Sequence, residues 1–191
     1  MHGGAALKSE LRRGALARRA AITPDEHQRW SWAAVDHIRP LVGEGEAVAL
    51  FAPMRGEIDP LGLIATIRAR RGEVLMPAVV AGTLIFRRFD GETLEAGPLG
   101  TRHPPVAEPE LVPGLIVVPL AAFDRRGGRI GYGGGYYDRA IERLNAGAAL
   151  VRTVGIGFAC QEVDSVPLEP HDAVLDAVAT EKELIRVKDH A

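Results

Sequence analysis

Apolar residues recur at helical spacing near the start of the chain, where Leu7, Leu11, Ala15 and Leu16 share one stripe among arginines. No proline interrupts positions 6–20, and the pattern predicts an amphipathic basic helix there. Thr23, Pro24, Asp25 and Glu26 then supply a capping hydroxyl, a first-turn proline and a glutamate able to reach back to the cap amide. A second helix is expected from this point towards Leu41, with Trp30, Ala33, Ala34 and Ile38 facing inward. Residues 47–52 are continuously apolar up to Pro53, as in a strand covered on both faces of a parallel sheet. Asp59 and Pro60 open a third expected helix, to about Arg71, followed by strands at 74–76 and 84–89 around a turn at Gly82. Residues 90–114, rich in glycine, proline and acids, read as a long irregular connection. Apolar runs at 115–118 and 151–158 predict two more strands around a helix at 136–144. Residues 174–178 allow one further strand and 181–187 a short tail element. The alternation predicts an α/β fold, a single three-layer α/β/α domain over 1–191 with a mostly parallel central sheet.

Composition narrows the function classes. The chain has 191 residues, 47% hydrophobic and 25% charged, with a net charge of −2. These values argue against disorder and against broad nucleic-acid binding, which needs a strongly basic surface. The longest apolar run, 115–123, is broken by Pro119 and falls short of the ~20 residues that span a bilayer. A basic N-terminus where a secretory signal would be apolar, and a lone Cys160, point to the cytoplasm, with no membrane or nucleic-acid partner. Cys160 reads as a packing residue. The six histidines lack ligand spacing, and His171 reads as a surface or hydrogen-bonded residue.

Two biases locate the chemistry. The chain uses 20 Arg but 3 Lys, and Lys8 is the only lysine before position 182. All three tyrosines and six glycines fall between Gly127 and Tyr137, after a buried strand and before a helix. Glycines let amides approach an anion, and a helix N-terminus adds unpaired N–H groups, so phosphate binding is the physical expectation. No Gly-Lys-Ser/Thr follows, and Tyr136 stands where a dinucleotide fingerprint needs its third glycine, so ordinary nucleotide motifs do not describe the run. A packing turn is the plain alternative, although three consecutive glycines cost about 0.5–1 kcal/mol each to order relative to alanine.

Residues Arg129, Ile130, Gly131, Tyr132, Gly133, Gly134, Gly135, Tyr136, Tyr137, Asp138 and Arg139 resemble the distinctive motif of the 5-formyltetrahydrofolate cyclo-ligase (5,10-methenyltetrahydrofolate synthetase) family. The resemblance extends to Lys8 and Arg12, to Gly56, Glu57, Ile58 and Asp59, to Gly155, Gly157, Phe158 and Gln161, and to His171, Asp172, Asp176, Thr180 and Glu181. Ile130 stands where leucine is more usual. The resemblance implies an enzyme that uses ATP and Mg²⁺ to convert 5-formyltetrahydrofolate to 5,10-methenyltetrahydrofolate, releasing ADP and phosphate, and acting as a monomer.

Carried onto this chain, the resemblance implies ATP contacts at Lys8, Arg12 and residues 129–137. It implies substrate contacts at Ala52, Glu57, Tyr132, Gly133, Gly134, Gly135 and Tyr136, and Mg²⁺ carboxylates at Asp138 and Asp172. Arg129, Tyr136 and Glu57 form the implied catalytic set. Each has a plainer reading: a solvated basic face for Lys8 and Arg12, helix-start charges for Glu57, Asp59 and Asp138, and a loop turn for Asp172. A non-catalytic folate or nucleotide-binding module, and a sugar-phosphate isomerase of similar architecture, are the alternative functions.

Overall fold

A computed structural model describes residues 3–147, 150–170 and 172–187; His171 lies outside the described residues. Two helices open the chain, α1 (Gly3–Ala20) and α2 (Pro24–Ile38). Thr23 caps α2 as its sequence predicts: its hydroxyl accepts from the Glu26 N–H at 3.3 Å, and the Glu26 carboxylate accepts from the Thr23 N–H at 2.9 Å. Such a cap contributes about 1 kcal/mol. The inward face of α2 consists of Ser31, Ala34, Val35 and Ile38, while Trp30 and Ala33 are half-buried.

The strands are β1 (Val48–Ala49), β2 (Val74–Val80), β3 (Thr83–Arg88), β4 (Glu95–Ala96), β5 (Arg102–His103), β6 (Leu115–Pro119), β7 (Ala122–Phe123), β8 (Arg129–Ile130), β9 (Arg152–Ile156), β10 (Ala177–Ala179) and β11 (Leu184–Arg186). The main sheet has the order β11-β10-β9-β6-β1-β2-β3. Its five inner strands run parallel, and β3 and β11 close its edges antiparallel. The two further helices are α3 (Ile64–Ala69) and α4 (Tyr136–Asn145). Strand side chains alternate between two cores. Val48, Leu50, Val74, Met76, Leu115, Val117, Val154 and Ile156 pack on one side with α2 and Ile67 of α3. Ala49, Leu75, Ile116, Val118 and Val178 pack on the other with Ala140 and Ile141 of α4. Helices on both faces explain the unbroken apolar runs.

Several boundaries differ from the periodicity. The apolar run 47–52 yields only the two-residue β1. The Leu50 N–H still reaches the Leu75 carbonyl at 2.9 Å, but Pro53 has no N–H and the chain turns out of the sheet. The third helix is shorter than expected. It starts with a 3₁₀ turn at Leu61–Leu63 and stops before Arg71, which takes a left-handed φ of 58°. Gly72 then packs so tightly that an added Cβ would lie 2.3 Å from the Glu46 carbonyl oxygen. The connection 90–114 carries the β4–β5 pair, so it is not wholly irregular. The expected strand at 174–178 forms three residues later than its predicted start, and the tail becomes the edge strand β11.

Among the described residues, no helix is long and apolar enough to cross a membrane.

Candidate active site

The glycine-rich window divides into two parts with different work. Its first part is a turn: β7 and β8 pair antiparallel, and the buried Asp124 carboxylate accepts from the N–H groups of Arg126, Gly128 and Val166 at 2.8–3.0 Å. Those bonds, with the Arg126 guanidinium, hold the Asp124 carboxyl below its ordinary value despite its burial. Gly127 is required there, since its φ is 81° and a Cβ would lie 2.5 Å from the Leu175 carbonyl oxygen. Its second part, from Arg129 onward, lines a cleft of about 620 Å³.

This cleft lies where the carboxyl ends of parallel strands feed loops, the usual ligand position in such sheets. The end of β1 supplies Ala52 and Glu57, and the hairpin after β6 supplies residues 129–138. Helix α1 packs across that hairpin through Ala15, which meets Ala122 and Ile130, and this brings Lys8 and Arg12 to the rim. Asp172 completes the lining, so every residue expected to form the site borders one cavity.

One end of the cleft is crowded with paired charges. The Arg12 Nε donates to the Gly131 carbonyl at 2.7 Å. Lys8 lies 2.6 Å from Asp172 Oδ2 and 3.1 Å from Glu169 Oε2. Burial works against its ammonium, and the two carboxylates outweigh that cost, so the Lys8 pKa is raised. Arg129 donates to Asp138 Oδ1 at 2.7 Å and to the Ala173 carbonyl, and Asp138 also accepts from the Ala173 N–H at 3.1 Å. Burial pulls the Arg129 guanidinium below its usual value, with Asp138 and Asp172 opposing. A guanidinium so far above neutrality nonetheless stays charged. The segment from Glu169 to Ala173 thus joins both ion pairs, and an anionic ligand can exchange carboxylates for its own oxygens.

Asp138 and Asp172 are the side chains that could hold a divalent cation. Among the described residues no three His, Cys, Asp or Glu groups converge as a metal centre. Two carboxylates suit Mg²⁺, which keeps waters and takes its remaining oxygens from phosphates.

The glycine run holds φ values that other residues avoid, 96° at Gly133 and 60° at Gly135, which precedes α4 as its N-cap. At Gly134 an added Cβ would lie 2.7 Å from the Tyr136 ring, so a side chain there forces the ring to move. The Arg139 guanidinium, which donates to the Gly134 carbonyl at 2.9 Å, sits over that ring 5.1 Å from its centroid.

Glu57, which lines the same cleft, is 5% exposed. Burial pushes its carboxyl above the ordinary value, against the Met54 N–H, the Tyr132 hydroxyl and the guanidiniums of Arg19 and Arg55. Its Oε2 accepts from the Met54 N–H at 3.0 Å. Burial likewise raises the phenols of Tyr132 and Tyr137, with the Glu57 charge adding to both. A buried carboxylate that lines the cleft suits a ligand that presents N–H donors. Asp59 is separate from this work: its carboxylate accepts from the Leu61 N–H at 2.8 Å, starting the next turn. Cys160 is half-buried, packed at the edge of a core cluster and outside the cleft.

Two residues of this neighbourhood escape the motif reading. Glu169, the second partner of Lys8, carries no pattern of its own. Arg19 is detectable by spacing alone, since Lys8, Arg12, Ala15 and Arg19 recur at intervals of four, three and four on one face of α1.

Comparison with known proteins agrees with this geometry. Residues 5–181 match the 5-formyltetrahydrofolate cyclo-ligase family. The 5-formyltetrahydrofolate cyclo-ligase of Escherichia coli K12 is 31% identical over 175 residues, covering 85% of this chain and 94% of that protein. That of Mycolicibacterium smegmatis is 29% identical over 188 residues, covering 92% and 94%. The solved structure of Aquifex aeolicus 5,10-methenyltetrahydrofolate synthetase superposes with a TM-score of 0.82 at 29% identity, covering 97% of this chain and 95% of that one. With its expected motif residues gathered around one cleft, this chain belongs to the 5-formyltetrahydrofolate cyclo-ligase family.

Proposed function

We propose that the protein converts 5-formyltetrahydrofolate to 5,10-methenyltetrahydrofolate at the expense of ATP, and that residues 129–138 form the surface on which the two substrates meet. The observation that carries this reading is that one cleft is lined both by the cations Lys8, Arg12 and Arg129 and by the buried carboxylate Glu57. Triphosphate oxygens suit the first, and the N–H groups of a reduced pterin suit the second.

The chemistry balances as follows. The formyl oxygen attacks the γ-phosphorus while the bond to the β-phosphate oxygen breaks and ADP departs. N10 then attacks the activated carbon and loses its proton, and the former formyl oxygen leaves within inorganic phosphate. Phosphorylation turns a poor leaving oxygen into a good one, so the protein has chiefly to align groups and neutralise charge. Lys8 and Arg12, one helical turn apart, face the polyphosphate together. Arg129 presents a planar fork to the transferred group. Tyr136, braced by Gly134 and Arg139, offers a ring to stack against a flat ligand. Glu57 accepts from the folate and fixes its orientation. Asp138 and Asp172 would hold Mg²⁺, whose charge would help neutralise the polyphosphate. The reading extends to a single-domain cytoplasmic enzyme. One sheet threading residues 48–186 supports the first part, and the lone Cys160 the second.

The test mixes purified protein, 5-formyltetrahydrofolate, ATP and Mg²⁺ and follows the absorbance of the methenyl product, omitting each component in turn. Product formation that needs ATP is expected. Its absence under every condition defeats the proposal, and product without ATP defeats the phosphorylation step.

Gly134→Ala gives a second check. Its Cβ must displace the Tyr136 ring, and misplacement by about 1 Å can cost about 10²-fold. A fall of that order in kcat/KM, with an unchanged melting temperature, is the expected result of steady-state kinetics and thermal denaturation.

A further inference from the structure

Glu57 is presented by a turn that its own sequence does not favour. The Glu57 N–H donates to the Met54 carbonyl at 2.9 Å, and the two residues between them take left-handed φ values, 51° at Arg55 and 75° at Gly56. Positive φ at both central positions marks a type I′ turn, which favours asparagine, aspartate or glycine at the first of them. Gly56 fits that pattern. Arg55 does not, so its backbone is strained.

The strained residue is held from outside the turn. Arg19, 7% exposed, donates through Nη2 to the Arg55 carbonyl at 2.8 Å and to the Tyr132 hydroxyl oxygen at 3.1 Å, while its Nη1 is buried without a hydrogen-bond partner. The turn is closed a second time by the Met54 N–H, which donates to Glu57 Oε2 at 3.0 Å. Packing gives no reason for an arginine at position 55, because the residue is exposed. Arg55 lines the cleft together with Glu57, and its guanidinium lies over the Tyr132 ring, 5.9 Å from the centroid. Arg19 thereby fixes both the backbone of Arg55 and the ring against which its guanidinium lies.

One turn thus offers the cleft two complementary groups, an ionised carboxylate that only accepts and a guanidinium that only donates. The matching ligand edge carries an N–H next to a carbonyl. The reduced pterin of 5-formyltetrahydrofolate has that edge, with its ring N3–H beside the C4 carbonyl. We propose that Arg55 is a specificity-determining residue: its guanidinium donates to the C4 carbonyl of the bound pterin while Glu57 accepts from the neighbouring N–H groups. The identity of the ligand rests on the cyclo-ligase reading; the strained turn and the two charges on it do not.

The experiment needs no turnover. 5-Formyltetrahydrofolate labelled with ¹³C at C4 is bound to the protein without ATP, its affinity read by calorimetry and its carbonyl resonance by NMR. A carbonyl that accepts from a cation moves downfield, so C4 in the wild-type complex is expected downfield of the free ligand. Arg55→Met returns the resonance towards its free position and weakens binding by about 10- to 100-fold, the size of a charge-assisted hydrogen bond. Arg55→Lys, which retains a charged donor, recovers part of both. Arg55→Asn suits the turn but is far shorter, so it melts no lower than wild type while binding as weakly as Arg55→Met. An unchanged C4 resonance between the wild-type and Arg55→Met complexes, or undiminished binding by Arg55→Asn, overturns the proposal. A lower melting temperature in Arg55→Asn overturns the strain argument beneath it. If Arg55→Met does not fold, the Arg55→Asn complex is read in its place. A wild type that makes product with C4 unmoved defeats this inference alone. A wild type that binds but makes no product defeats the cyclo-ligase reading, while the resonance still decides Arg55; no binding of 5-formyltetrahydrofolate overturns both.

Discussion

Replacing Arg129 by alanine is expected to lower turnover by about 10²- to 10³-fold, the usual cost of removing a donor aimed at developing charge. The side chain is held for that role on two sides, by Asp138 at 2.7 Å and by the Ala173 carbonyl. Removing it leaves Asp138 with the Ala173 N–H alone, so a stability loss of about 1–3 kcal/mol should accompany the kinetic one. Arg129→Lys separates the two effects. Lysine keeps the charge near Asp138 but cannot span both acceptors with one planar group. Its melting temperature should recover most of the loss while kcat stays at least about tenfold down. Steady-state kinetics with ATP and folate varied separately, alongside thermal denaturation, read both. Full turnover in the alanine variant would remove Arg129 from the site.

Glu57→Gln is expected to separate function from stability in opposite directions. Exchanging the carboxylate for an isosteric amide loses a charged hydrogen bond to substrate, worth about 1.5–3 kcal/mol, or roughly 10- to 100-fold in KM for 5-formyltetrahydrofolate. Stability runs the other way. Burial raises the Glu57 pKa above 4.5, so the folded protein holds this proton more tightly than the unfolded chain does. That contribution is complete below pH 4.5 and is lost as pH rises through the folded pKa. Once ionised, the wild-type side chain is a desolvated charge that the glutamine variant lacks. The variant should melt no lower than wild type at pH 7, and wild type should gain on it as pH falls towards 4. A melting temperature that drops at pH 7, with KM unchanged, would make Glu57 a structural residue.

A carboxylate that costs stability and a guanidinium with an unsatisfied nitrogen are local departures from good packing, and they adjoin one cleft. Departures of this kind belong at functional sites, where chemistry rather than stability selects the side chain.

Much of this was legible along the chain, for local reasons. The α2 cap uses groups three residues apart, and the parallel strands announce themselves because burial on both faces needs apolar residues at every position. The run from Arg129 to Asp138 marks itself by composition, and the spacing of Lys8 and Arg12 follows from the helical repeat. What lies far apart in sequence required the tertiary structure. Only packing of α1 on the β7–β8 hairpin brings Lys8 within 2.6 Å of Asp172, 164 positions away, and Arg19 to Tyr132. Only the fold divides the six glycines, setting Gly127 and Gly128 in a turn around the buried Asp124 and the remaining four along the cleft. The short α3 was decided in part the same way, because the chain after it packs at Gly72 against the distant Glu46 carbonyl, a contact that no periodicity encodes. Local hydrogen bonding and burial period are written in neighbouring residues, whereas the meeting of charges depends on how whole elements stack.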